Sequence, residues 1–234
     1  MRLRRDVRRP AERLPVLAEL TVPDAPVDGP RLSFDGPQIE GVSRIFSGLG
    51  IAGEGLVVAT AIAERRPDPR IAVALATTAA VRGASTVIAD ADLEHRSLAS
   101  ALRLERSPGL AEYVAGDAEA QDLLQVVDVA GAGLGERARL VCVCAGEGMA
   151  SGDEPDELAQ IDHVLERLRR AYDIAIVLGP PLDRPAGEWL IERADAVLVE
   201  AAPRSLGRRG RGRMAEAASL LQGRRAGLVT VTTE

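Results

Sequence analysis

Residues 57–93 read VVATAIAERRPDPRIAVALATTAAVRGASTVIADADL, and their order decides the fold. An apolar run (Val57–Ala61) leads through the connection Glu-Arg-Arg-Pro-Asp-Pro into an alanine-rich segment. A second apolar run then ends in Asp-Ala-Asp. Asp68 followed by Pro69 has the form of an N-cap and first helical residue, and Gly83 that of a stop, which predicts a helix over Pro69–Arg82. The stretch is therefore a strand–helix–strand unit.

The pattern continues in both directions. Strands are expected at Leu56–Ala61, Thr86–Ala89, Leu140–Ala145, Ile174–Leu178, Ala196–Glu200 and Leu228–Val231. All are Val, Ile, Leu and Ala runs without a polar face, as strands buried on both sides of a parallel sheet require. Between them, Asp156–Tyr172 carries Leu158, Ile161, Leu165 and Leu168 at helical spacing. We expect an α/β fold: a doubly wound, mostly parallel sheet with helices on both faces, forming a single domain over residues 41–234. Residues 1–40 read as a basic N-terminal arm, a short strand in Leu-Pro-Val-Leu-Ala-Glu-Leu and a Pro-rich linker.

Composition narrows the function classes. In 234 residues the aromatic fraction is 2%, so the core must be aliphatic and helices must pack close to the sheet. A net charge of -6 argues against a nucleic-acid partner. All 29 cationic side chains are arginine, which replaces lysine poorly where a compact ammonium must slot between phosphates. Two cysteines, Cys142 and Cys144, without a secretory leader are expected to be core residues of a cytoplasmic chain. The apolar run Ile71–Val81 is too short to span a bilayer.

Six segments together resemble a known family. They are LPVLAEL (14–20), DADL (90–93), GLAEYVAG (109–116), EPDEL (154–158), YD (172–173) and GPP (179–181). In this order, from Leu14 to Val231, the chain resembles the cytoplasmic domain of the bacterial tyrosine kinases of capsule and exopolysaccharide assembly, within the MinD/ParA-like branch of P-loop ATPases. The resemblance implies a P-loop NTPase-like fold, ATP with magnesium as cofactor, and work at the inner membrane beside a polysaccharide-assembly protein.

The departures from that family fall on its chemistry. Its phosphate loop is glycine-rich and ends in Gly-Lys-Ser or Gly-Lys-Thr, since backbone N–H groups cradle phosphates while lysine neutralises them. Here the matching loop, Ala61–Arg70, has no glycine or lysine, and Pro67 and Pro69 remove two donors. Asp68 would occupy the positive helix N-terminus where phosphate sits in the family. An arginine-based phosphate site using Arg65, Arg66 or Arg70 is the competing account.

Asp90 and Asp92 match the aspartates that in the family serve magnesium and the hydroxyl nucleophile, but Glu94 stands where a basic residue is expected. We read the pair as vestigial. The aspartate expected in the strand before Gly179 is Leu178, which cannot ligate a hard cation. Of the ring-forming Glu-x-x-Arg-x-x-Arg element Glu40 remains, with Ser43 and Phe46 at the arginine positions. The C-terminal tyrosine cluster is absent, leaving Tyr113 and Tyr172 within the fold.

One feature is gained. Arg204, Arg208, Arg209, Arg211 and Arg213 lie in an acid-free run, which reads either as a solvated surface or as a patch that docks an acidic partner. The sequence thus supports a catalytically inactive, kinase-like scaffold or regulator without cofactor, peripheral at the inner membrane and partnered by a polysaccharide-assembly protein. Two alternatives stand beside it: a divergent ATPase or tyrosine kinase using ATP with magnesium, and a nucleotide-independent MinD/ParA-like positioning factor.

Overall fold

The computed structural model describes residues 14–22, 31–32, 36–51, 54–62, 66–131, 137–203 and 211–233. Sixteen elements follow in order: β1 (Val16–Val22), β2 (Arg31–Leu32), α1 (Gly36–Gly48), β3 (Gly55–Ala61), α2 (Pro69–Val81), β4 (Thr86–Asp90), α3 (Ser97–Leu102), α4 (Leu110–Ala115), β5 (Leu124–Gly131), β6 (Arg137–Val143), α5 (Pro155–Ala171), β7 (Ile174–Leu178), α6 (Pro185–Arg193), β8 (Ala196–Ala201), α7 (Arg211–Leu220) and β9 (Arg225–Thr233). They build one α/β domain around a 9-stranded sheet of order β1-β9-β8-β3-β7-β4-β6-β5-β2. Its pairings are parallel except β5 with β6, which run antiparallel.

The central strands explain the apolar runs of the sequence. Nearly every side chain of β3, β4, β7 and β8 is buried, because each strand is covered on both faces. Successive residues alternate between two cores. Val57 and Ala59 face α1, α2 and α3 with Ile45, Ile71 and Leu98, whereas Leu56 and Val58 face α4 to α7 with Leu110, Ile161, Leu190 and Ala217. A fully buried Leu or Ile contributes about 1.5–3 kcal/mol, and the aliphatic side chains shared between the two cores supply most of the driving force.

Helix α2 is built for close approach to the sheet. Nine of its residues, from Ile71 to Ala79, are buried, mostly Ala and Val, so its backbone can sit low on the strands. Thr77 and Thr78 donate their hydroxyls to Val73 O and Ala74 O at 2.8 Å, which hides their polarity within the helix. A close approach also packs α6 onto the loop that precedes it: a Cβ at Gly187 would lie 2.2 Å from Pro181 O.

The structure moves several expected boundaries. β6 spans Arg137–Val143, so Cys142 is on the strand and Cys144 just beyond it, both buried. Burial pushes both thiols up to about 12. β1, which the sequence reading sets apart from the domain, pairs with β9 at the edge of the sheet and carries Ala18 and Leu20 into the core with α1. β5 and the helices α3, α4 and α6 were not foreseen.

Candidate functional site

The strand order creates one crevice. β3 lies between β7 and β8 in the sheet. The chain leaves β3 through α2 to reach β4 on the far side of β7, and leaves β7 through α6 to reach β8 on the far side of β3. Neighbouring strands whose connections depart in opposite directions leave a gap at their carboxyl ends, where doubly wound sheets place ligands. The sequence-predicted residues converge there: Ala59 of β3 pairs with Leu178 of β7, and Leu178 pairs with Asp90 of β4.

Two carboxylates close the N-terminus of α2. Asp68 has an extended backbone (φ -80°, ψ 115°) and its Oδ1 accepts from Arg70 N at 3.0 Å, so the predicted N-cap is present. Its own N–H donates to Oε2 of Glu200, a buried residue near the end of β8, at 2.8 Å. The helix terminus therefore already has two carboxyl groups at the position where an anion would bind.

Arg70 is committed to this arrangement. Its Nε and Nη2 lie 2.9 and 2.6 Å from the Asp68 carboxylate. Arg66 is exposed, and Arg65 lies outside the described residues. Three further donors of the crevice among the described residues are spent on backbone: Gly179 N and Leu182 N donate to Ala59 O and Ala61 O at 2.9 and 3.0 Å, and Thr60 Oγ1 donates to Pro180 O at 2.7 Å.

The aspartates organise the loop after β4. Asp90 is fully buried; its Oδ1 accepts from Asp92 N at 3.2 Å and its Oδ2 from Leu98 N at 2.9 Å. Burial raises its carboxyl to about 7, with the charge of Asp92 pushing the same way and the bond from Leu98 N pulling down. Asp92 accepts from His95 N at 3.1 Å, and its Oδ2 lies 2.7 Å from His95 Nδ1. Glu94 turns outward to Arg184 Nη1 at 2.7 Å, and Arg184 Nη2 reaches Asp153 Oδ2 at 2.7 Å. One guanidinium thus ties three loops across the crevice.

This chemistry does not fit a magnesium–nucleotide group. Leu178 is fully buried among Ile176, Ile71 and Leu198 and offers no oxygen. Asp90 and Asp92 direct their oxygens at backbone N–H groups and at His95, and no cluster of three metal-ligating side chains exists among the described residues. No lysine is present in the chain to neutralise phosphate.

The remaining predicted residues are dispersed. Glu40 is exposed, Ser43 half-buried and Phe46 buried, with Arg82 4.8 Å from its ring centroid. Tyr113 and Tyr172 are half-buried against the second core. Arg204, Arg208 and Arg209 lie outside the described residues, Arg211 begins α7, and Arg213 is exposed. The basic arm also lies outside them. Among the described residues no helix is long and apolar enough to cross a membrane.

Several contributors escaped the sequence reading. Glu200 is 132 positions from Asp68 and carries no local signal; Arg184 stands 90 positions from Glu94. The Asp92–His95 pair, at an i,i+3 spacing, was the one that local spacing could have revealed.

No family model and no curated protein matches the sequence. Solved structures do match in fold, which is that of bacterial tyrosine kinase domains and of MinD-type proteins. The chimerical protein CapA2B2 is 18% identical with a TM-score of 0.68, over 93% of this chain and 94% of its own. The kinase domain of the Escherichia coli tyrosine kinase ETK is 15% identical with a TM-score of 0.66, over 94% of this chain and 91% of its own. The septum site-determining protein MinD of Pyrococcus horikoshii, complexed with Mg-ADP, is 12% identical with a TM-score of 0.53, over 74% of this chain and 67% of its own. At these identities the likeness is one of fold.

Proposed function

We propose that this protein is a catalytically inactive, tyrosine-kinase-like domain that serves as a scaffold or regulator in bacterial surface-polysaccharide assembly. The observation that carries the inactivity is the closure of the α2 N-terminus by Asp68 and Glu200. A polyphosphate brought there would meet two carboxylates in place of a ring of N–H donors and a lysine. The assignment to polysaccharide assembly is supported by the six ordered segments of the sequence and by a fold shared with tyrosine kinase domains over most of both chains.

In this reading the domain works through its surfaces, at the inner membrane and beside a protein of the assembly machine. The acid-free run containing Arg204, Arg208, Arg209, Arg211 and Arg213 is the sequence feature that would dock an acidic partner. Titration calorimetry of the full chain with magnesium-ATP tests the inactivity. Saturable binding tighter than about 0.1 mM, or phosphorylation of Tyr113 or Tyr172 by the isolated chain, overturns it in favour of a divergent kinase. Loss of membrane co-purification on replacing Arg208, Arg209, Arg211 and Arg213 by Ser tests the docking.

A further inference from the structure

A cavity of about 410 Å³ with no role so far lies between the start of α6, helix α7 and the end of β3. Its floor is apolar and buried: Ile62, Leu182 and Ala217 are 8%, 4% and 3% exposed. Its rim is acidic. Asp183, Glu188 and Glu216 are exposed around the floor, against Arg213 as the single cation among the described residues that line it. None of the three carboxylates has an ion-pair partner among the described residues, whereas neighbouring acids such as Glu94, Asp153 and Asp162 are paired.

We propose that this cavity receives an arginine side chain of a protein partner, carried in a short segment with apolar neighbours. The volume lies within the range of pockets that hold a small group, and an apolar floor beneath an acidic rim disfavours any polyphosphate. A guanidinium fits the combination better than an ammonium. It is weakly hydrated, so it desolvates readily over Ile62 and Ala217, and its several donors reach more than one carboxylate while its stem covers apolar surface. The partner's chemistry is thereby opposite to that expected for the arginine run, which shares Arg213 with this cavity.

The proposal rests on the preceding reading in taking the cavity to be free of nucleotide. It is tested on the full chain by amide NMR, with the peptide acetyl-Leu-Arg-Leu-amide as probe and its citrulline counterpart as the neutral isostere. The expected result is saturable shifts at Ile62, Ala217, Ser219 and Leu220, with the citrulline peptide weaker by about fivefold. Affinity should fall between about 0.05 M and about 0.5 M salt. The double variant Glu188→Gln/Glu216→Gln, both positions exposed, should weaken the arginine peptide by a similar factor at an unchanged melting temperature.

Equal affinity for both peptides, shifts at other residues, or indifference to the double variant overturns the proposal. So does tighter binding to Arg208→Ser/Arg209→Ser, which would assign the cavity to the chain's own arginines. Displacement of the peptide by magnesium-ATP would instead overturn the inactive reading, so the two failures are distinguishable.

Discussion

The backbone N–H of Asp68 donates to Oε2 of Glu200 at 2.8 Å, which fastens the start of α2 to the end of β8 with a buried carboxylate. Both groups are part of the fold, so the anion site is filled from within. Magnesium-ATP at about 5 mM should leave the melting temperature unchanged, whereas a dissociation constant of about 0.1 mM would add about 2.3 kcal/mol. A rise of several degrees in a thermal melt would refute the closure.

Asp68 itself should matter to stability. Asp68→Ala removes the cap on Arg70 N and the partner of the Arg70 guanidinium, and should cost about 1–2 kcal/mol. Asp68→Asn keeps a capping oxygen and should cost less. Urea denaturation of both variants decides it, and an Ala variant as stable as the parent would show that the cap contributes nothing.

The buried carboxyl of Asp90 predicts a pH dependence with a definite sign. Unfolded, the residue titrates near its ordinary 3.8; folded, burial first and Asp92 second raise it to about 7. Between these values the folded chain holds a proton that the unfolded chain has released. This group's contribution therefore declines as pH rises from about 4 to about 7, by at most about 1.4 kcal/mol per unit. Asp90→Asn should flatten the decline, and parallel pH profiles for parent and variant would exclude it.

Arg184 bridges Glu94 and Asp153 with all three side chains partly exposed, so water screens the bridge. Arg184→Ala should cost about 1 kcal/mol, and Asp153→Ala should cost less in that background than in the parent. Full additivity of the two in chemical denaturation would mean that the bridge carries no coupling energy.

Restoring the missing aspartate should fail. Leu178→Asp would place a carboxyl in the core facing α2, in register beside Asp90, and should cost more than about 4 kcal/mol. A folded variant of near-parental stability, seen by circular dichroism, would show the core to be more forgiving than its packing indicates.

The fold was largely legible because buried parallel strands write themselves as unbroken aliphatic runs; β7 falls on Ile174–Leu178 as read. Asp68 could be read as a cap because capping is local. β5 was missed because Leu124 and Val126 are exposed and Asp128 interrupts the run, so it lacks the signature of its neighbours. That residues 61–70 hold neither glycine nor lysine could be seen in the sequence, but that Glu200 accepts from Asp68 N could not. Glu200 and Arg184 act across 132 and 90 positions, and only the sheet order brings them to their partners. Asp90 also changes meaning. The sequence leads one to expect a vestige, whereas the structure gives it two backbone N–H groups to satisfy within the core.

The two cysteines give the chain a built-in reporter. With thiols pushed up to about 12 by burial in the sheet, only about one in 10⁵ is thiolate at neutral pH, and a reagent must also reach them through the core. Alkylation of Cys142 or Cys144 therefore waits for the centre of the domain to open, and its rate, followed by mass spectrometry in crude extract, clocks that opening without purification or an introduced label.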